Sequence, residues 1–361
     1  MELKIKTKAL QEMVGKAITC ASNNKLIPLT SLMNVKVRNN TLTLTTTNAS
    51  CYFYVSYNEK VDCEDFEVSI LADIFTKLIQ KTTSEFTTLS IDGGVLNVTG
   101  NGNYKIELPL DENGGVIKFP NKLPAMEPPV DGGIKLSTVN FILKYNKPSL
   151  AVSMELPSIT CYYCGDKIVT SDRFKICTSD IKVFDNPQLI TPQVMELLGV
   201  MSEETINYHM SETEMIFWDS NETVYTPITE GIDTFPLQAI LGFVNGEFKS
   251  KCKVSRTAVS DVLDRLSLFV SPYDKKGIYL TFTKDGIMFS SKKSSGKELI
   301  PYVSNENFED YTCCIDVEML KTQVNTQEGE YLDISFGSPM AIRLVHENVT
   351  QVVALMQDEG V

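Results

Sequence analysis

The sequence predicts an α+β fold of three tandem domains, each made of two strand–helix–strands repeats. Three observations predict it. One short phrase recurs six times along the 361 residues, the segments between its copies alternate apolar and polar with period two, and two Gly/Pro-rich stretches group the copies in pairs. The phrase is a brief alternating strand, a small polar or acidic residue, then apolar residues spaced i, i+3, i+4 and i+7. That spacing places one apolar stripe along a helix.

The first copy is Leu3–Thr7, followed by Leu10, Met13, Val14, Ala17 and Ile18. The second is Phe66–Ile70, with Leu71, Ile74, Phe75, Leu78 and Ile79 as its stripe. The third is Ile134–Ser137 with Val139, Ile142 and Leu143, and the fourth Gln188–Thr191 with Val194, Leu197, Leu198 and Met201. Cys252–Ser255 precedes Val259, Val262, Leu263 and Leu266; Cys314–Asp316 precedes Val317, Leu320 and Val324. Helices are expected to start near residues 8, 71, 138, 191, 255 and 316, a period of about 60 residues. Thr7, Ser137, Thr191, Ser255 and Asp316 can each cap a helix by accepting its first free N–H groups; the second copy has Leu71 near that position.

Thr41–Thr45, Ile278–Phe282 and Tyr331–Phe336 read as strands, and Asn39-Asn40, Asp92-Gly93, Gly165-Asp166 and Asp285-Gly286 as hairpin turns. Residues 113–133 and 234–249, which carry Gly and Pro, read as linkers. The expected domains are therefore 1–124, 125–245 and 246–361, each of about 120 residues.

Composition narrows the function. Hydrophobic content of 43% is ordinary for a globular chain. No apolar run approaches the ~18 residues of a membrane span. The N-terminus MELKIKTKALQ alternates Lys with apolar residues and lacks a signal peptide's apolar core, so a cytoplasmic location and no membrane partner are expected. Nine cysteines form no disulfide framework; Cys161 and Cys164 make a CxxC with no second pair at zinc spacing, and no metal is expected. Adjacent Cys313 and Cys314 would point to opposite faces of a strand. Catalysis is not expected either. The two histidines, His209 and His346, have no metal-motif spacing, Gly100–Gly102 opens no helix, and neither a GxSxG nor a Walker A motif occurs. No cofactor is implied. The net charge of −13 opposes simple binding to nucleic acid, whose affinity comes from Lys and Arg.

The order of repeats and several local phrases resemble the bacterial-type DNA polymerase sliding clamp, the beta subunit of the replicative polymerase. Ile27-Pro28-Leu29 through Asn34-Val35, then Thr41–Leu44, is similar to the family's first-domain "LPIL…N" strand and hairpin. Ser171–Ile176 resembles its "TDGHRL" segment, Phe235-Pro236 its "FPDY" phrase, and Val352–Met356 its "VVMPM" strand. The chain departs from the family at Arg173-Phe174, where the family has Gly-His, and at Leu355, where it has Pro. Gln357–Val361 extends beyond the last strand. Such departures suit a divergent phage or mobile-element member.

The resemblance implies a non-enzymatic processivity factor. Helices would line a ring around double-stranded DNA, held without sequence preference, with antiparallel sheets outside. The predicted helices carry nine basic residues (Lys8, Lys16, Lys77, Lys81, Lys144, Lys147, Arg256, Arg265, Lys321) and seven acidic ones (Glu12, Asp73, Glu196, Asp261, Asp264, Asp316, Glu318), a net +2 against −15 elsewhere. By the same resemblance, a groove for short motifs of DNA polymerase and the clamp loader would be formed by Cys164, Ser171, Phe174, Ile176, Pro236, Leu241, Val352, Ala354, Leu355 and Met356. A QLxLF-like peptide would bind there at micromolar strength. Head-to-tail pairing with a second copy would use Tyr104 and Ile106 from one chain, Phe269 and Val270 from the other. Arg265–Phe269 itself looks like a clamp-binding peptide, but Leu263 and Leu266 belong to a helix stripe, which favours a structural role. The competing reading is a repeat-built structural or adaptor protein that does not encircle DNA. The two-domain trimeric clamp, typified by proliferating-cell nuclear antigen, does not fit the length or the six copies.

Overall fold

The computed structural model describes residues 2–111, 113–115, 117–123, 126–152, 156–270, 276–292, 296–307 and 309–357. The helices are α1 (Thr7–Ala17), α2 (Ala72–Gln80), α3 (Leu136–Tyr145), α4 (Pro192–Leu198), α5 (Leu237–Val244), α6 (Arg256–Ser267) and α7 (Val317–Thr326). All but α5 follow the repeat, each entered from a strand: Glu2–Lys6, Phe66–Leu71, Gly132–Lys135, Gln188–Ile190, Ser250–Ser255 and Tyr311–Asp316.

The chain divides into two compact units: Met1–Asn140 with Gln193–Ile228, and Phe141–Pro192 with Thr229–Val361. In the first, an antiparallel eight-stranded sheet runs in the order Phe66–Leu71, Leu32–Arg38, Thr41–Thr47, Tyr52–Ser56, Glu222–Pro227, Glu214–Trp218, Thr205–Met210, Gly132–Lys135. Its central join sets Val55 opposite Glu222 and Tyr52 opposite Tyr225, residues about 170 apart in sequence. A four-stranded sheet (Glu2–Lys6, Phe86–Asp92, Val95–Thr99, Asn103–Glu107) completes the unit. Helices α1 and α2 pack together, and α1 touches strands of both sheets, burying Leu10, Met13, Val14 and Ala17.

The second unit repeats the plan. Its nine-stranded sheet runs Gln188–Ile190, Tyr162–Cys164, Ile168–Ser171, Lys175–Ser179, Val349–Ala354, Ala341–His346, Tyr331–Phe336, Ser250–Ser255, Ser304–Glu306. Its four-stranded sheet runs Lys297–Pro301, Gly286–Ser291, Gly277–Thr283, Tyr311–Asp316. Helices α6 and α7 pack on each other, and Val259, Val262, Leu263, Leu266, Leu320 and Val324 share a core with Phe282 and Phe336, whose rings stack 3.9 Å apart.

Four details differ from the sequence reading. Residues 234–249 are no linker: Pro236 stands just before α5, where a missing N–H costs nothing, and Ile240 and Val244 bury one face. Thr7 is no cap but the first residue of α1; it is buried, its hydroxyl 2.8 Å from that of Thr87. Ser137 likewise lies inside α3, whereas Ser255 and Asp316 do accept N–H groups of α6 and α7. In the second repeat Leu71 and Ile74 are exposed, and Ala72, Phe75 and Ile79 form the buried face instead. Asn39 and Asn40 turn their hairpin with φ of 51° and 60°, a left-handed pair that asparagine tolerates.

All nine cysteines are free thiols, eight of them buried. Cys161 and Cys164 belong to the buried set, and among the described residues no group of three or more His, Cys, Asp and Glu could hold a metal ion. Among the same residues, no helix is long and apolar enough to cross a membrane.

Candidate functional site

Three backbone bonds fasten the last strand and its exit. Ala354 N–H donates to the Phe174 carbonyl at 2.8 Å, Leu355 N–H to Met340 at 2.9 Å, and Met356 N–H to Cys314 at 2.9 Å. They hold Ala354, Leu355, Met356 and Gln357 beside Phe174, Met319 and Asp316 around a pocket of about 430 Å³. Phe174 is 57% exposed. It follows a tight turn in which Asp172 Oδ1 accepts the N–H groups of Phe174 at 3.0 Å and Lys175 at 2.6 Å. Arg173 pays for that turn with a φ of 77°, a left-handed conformation that L side chains rarely adopt. Asp316 also caps α7, accepting from Glu318 N–H at 2.8 Å and Met319 N–H at 3.0 Å.

The residues carried over by phrase therefore fall into two sets. Phe174, Ala354, Leu355 and Met356 line the open pocket. Ile176 and Val352 lie in a buried apolar cluster with Phe235, Ile240 and Val244, so α5 covers them. Cys164 and Ser171 are buried as well, and burial pushes the Cys164 thiol up, keeping it protonated. Pro236 and Leu241 are partly buried, the first at the entrance of α5 and the second within it. Sequence reasoning missed Asp316, Met319 and Gln357. Met319 is spaced like a helix-face residue, and the Met356 N–H bond to the Cys314 carbonyl, just before α7, brings Met356 to it.

Of the nine cations expected on helices, Lys81 and Lys147 lie just beyond the ends of α2 and α3, and five others pair with carboxylates among the described residues. Lys16 Nζ binds the buried Glu222 carboxylate at 2.8 Å and also bonds Ser202. Lys77 pairs with Asp73, Lys144 with Glu328, Lys321 with Asp264, and Arg265 grips Glu298 through two bonds of 2.7 and 2.8 Å. Arg256 donates to the Gly329 carbonyl at 2.8 Å. Lys8, Lys81 and Lys147 are exposed. Burial raises Glu222 above its ordinary 4.5, opposed by Lys16; burial also acts upward on Asp219, but N–H bonds from Asn221, Glu222 and Glu203 outweigh it and hold that group low.

Each four-stranded sheet has an edge strand that does not lead directly into a helix. Asn103–Glu107 ends one four-stranded sheet and Lys297–Pro301 ends the other. On the first, Tyr104 is exposed while Ile106 is buried within its own sheet's core. Near the second, Leu268, Phe269 and Leu299 are exposed, and Val270 packs partly on the unit's core. Leu266 is buried in α6, so the Arg265–Phe269 phrase is half core.

Residues 1–113 match the family described as the DNA polymerase III beta subunit, N-terminal domain. No curated protein matches the chain in sequence. Among solved structures, the DNA polymerase III beta chain of Streptococcus pneumoniae superposes with a TM-score of 0.86 at 15% identity, covering 99% of this chain and 100% of that one. The chain has the bacterial sliding-clamp fold. The beta subunit of Thermotoga maritima (TM-score 0.85, 15% identity, 99% of each chain) and the sliding clamp of Bacillus subtilis (0.83, 14%, 99% of each) agree.

Proposed function

We propose that the protein is a sliding clamp: a processivity factor that encircles duplex DNA as a ring and tethers a polymerase to it. The observation that supports the reading is coverage, since 99% of this chain aligns with the whole of a polymerase III beta chain. In this reading the chain comprises three domains, 1–124, 125–245 and 246–361, with the repeat helices toward the DNA. Such a ring needs only weak, sequence-independent attraction, because closure rather than affinity retains it. That reconciles DNA binding with a net charge of −13.

Two copies would close the ring head to tail. The edge strands Asn103–Glu107 and Lys297–Pro301 suit pairing between chains, with Tyr104 on one and Phe269 and Leu299 near the other as apolar contacts. Light scattering at micromolar concentration tests closure: the expected mass is twice the 40.3 kDa of one chain, and a monomer would contradict a stable ring. Short apolar motifs of the polymerase and clamp loader would dock at the 430 Å³ pocket, where five apolar residues are joined by the polar Asp316 and Gln357. The protein then acts by binding, without chemistry of its own.

A further inference from the structure

The C-terminal end of α5 is held by a side chain from a strand about 100 residues away. Arg343, within Ala341–His346, donates from Nη1 to the Val244 carbonyl at 3.0 Å, and its guanidinium lies 4.4 Å from the centre of the Phe248 ring. Nη2 reaches Ser335 Oγ at 3.5 Å, and the buried Nε finds no hydrogen-bond partner among the described residues. These contacts are a carbonyl, a ring and a hydroxyl, none of them charged. Burial accordingly pulls the Arg343 pKa below its ordinary 12.5. A pocket of about 280 Å³, lined by Arg343 with Lys251, Ser335 and Val345, leaves the side chain unpacked on one flank. The carbonyl bond and the ring therefore supply the hold.

The last carbonyls of a helix lack partners within it, and a cation placed there is favourable. Here the helix so treated is the one that covers Ile176 and Val352. It is only eight residues long, too short to persist without tertiary support.

We infer that Arg343 is a positioning residue for the peptide groove: with Phe248 it pins the last turn of α5, and α5 sets the wall offered to one apolar anchor of the partner peptide. The inference rests on the peptide-groove reading. Neither Arg343 nor Phe248 lines the open pocket itself.

Arg343→Met and Phe248→Leu test it in the full-length protein, with Arg343→Lys as the conservative change. Hydrogen exchange reports on residues 237–244, and fluorescence anisotropy reports on a QLxLF-type peptide and on versions with each apolar residue replaced by Ala. Arg343→Met is expected to speed exchange in α5 and weaken the parent peptide about tenfold. Arg343→Lys, still able to reach the carbonyl, restores part of the affinity. The penalty disappears against the one Ala-substituted peptide whose missing anchor α5 would have met, as coupled sites require. Faster exchange with affinity unchanged within about twofold would overturn the inference, as would an equal loss for every peptide, the mark of general destabilisation. If the unsubstituted protein binds no peptide at all, the groove reading falls and the role of Arg343 falls with it; the two failures are thus told apart.

Discussion

Replacing Phe174 with Ala separates binding from folding at the open half of the groove. A Phe side chain offers roughly 200 Å², and Phe174 is 57% exposed, which leaves about 110 Å² for a ligand to cover. At about 25 cal/mol per Å², complete coverage would be worth about 2.8 kcal/mol; a peptide covering half of it gains about 1.4 kcal/mol, or a tenfold change in Kd. The same exposure means that the folded protein gains little from this ring, so thermal stability should barely move. Anisotropy with a labelled QLxLF-type peptide, run beside a thermal melt, reads both quantities. A Kd within about twofold of the parent, with the fold intact, would refute the assignment of this pocket. Ile176→Asp is the poorer test: Ile176 is buried in the α5 cluster, and an unpaired carboxylate there would unfold the site before it reported on binding.

Three further outcomes follow from the side-chain geometry. Lys8→Glu with Lys81→Glu should shorten residence on circular DNA and reduce its salt dependence, whereas Lys16→Ala should chiefly destabilise the fold by about 1–3 kcal/mol, because it strands buried Glu222; equal DNA effects from both would contradict this division. Arg173→Gly relieves a φ of 77° and should raise stability by up to ~1 kcal/mol in a denaturant titration, and a loss of stability would show that the Arg side chain supports the turn. Burial raises Glu222 above 4.5, so the folded protein holds a proton that the unfolded chain has released, and stability falls as pH rises through the window just above 4.5. Glu222→Gln should flatten that part of the Tm–pH curve, and an unaltered slope would show that the group does not titrate there.

The architecture was largely legible because its signal is local and repeated. A stripe such as Val259, Val262, Leu263 and Leu266 reports a helix and its buried face at once, and six copies leave little freedom. Helix α5 escaped because Pro236 and the glycines at 242 and 246 punctuate it like a linker, and its only strong signal is one buried pair, Ile240 and Val244. The pairing of Tyr52–Ser56 with Glu222–Pro227, and of Lys175–Ser179 with Val349–Ala354, is non-local and leaves no periodic trace in either partner. That second pairing sets Phe174 beside Ala354, and the equally non-local Met356 to Cys314 bond brings in Met319 and Asp316, which is why these two were invisible as walls of the pocket. Charge was legible in sum but not in place: counting gave +2 on the helices, yet partners such as Glu222 and Glu298 lie outside them and neutralise Lys16 and Arg265.

The central claim is topological, and retention on DNA of different topology tests it most directly. The protein is loaded onto nicked circular duplex, separated from free protein, and the DNA is then cut once. A clamp is expected to stay with the circle and to leave after the cut, by sliding off the new ends. Equal retention on circular and linear DNA would contradict encirclement and leave the adaptor reading in its place.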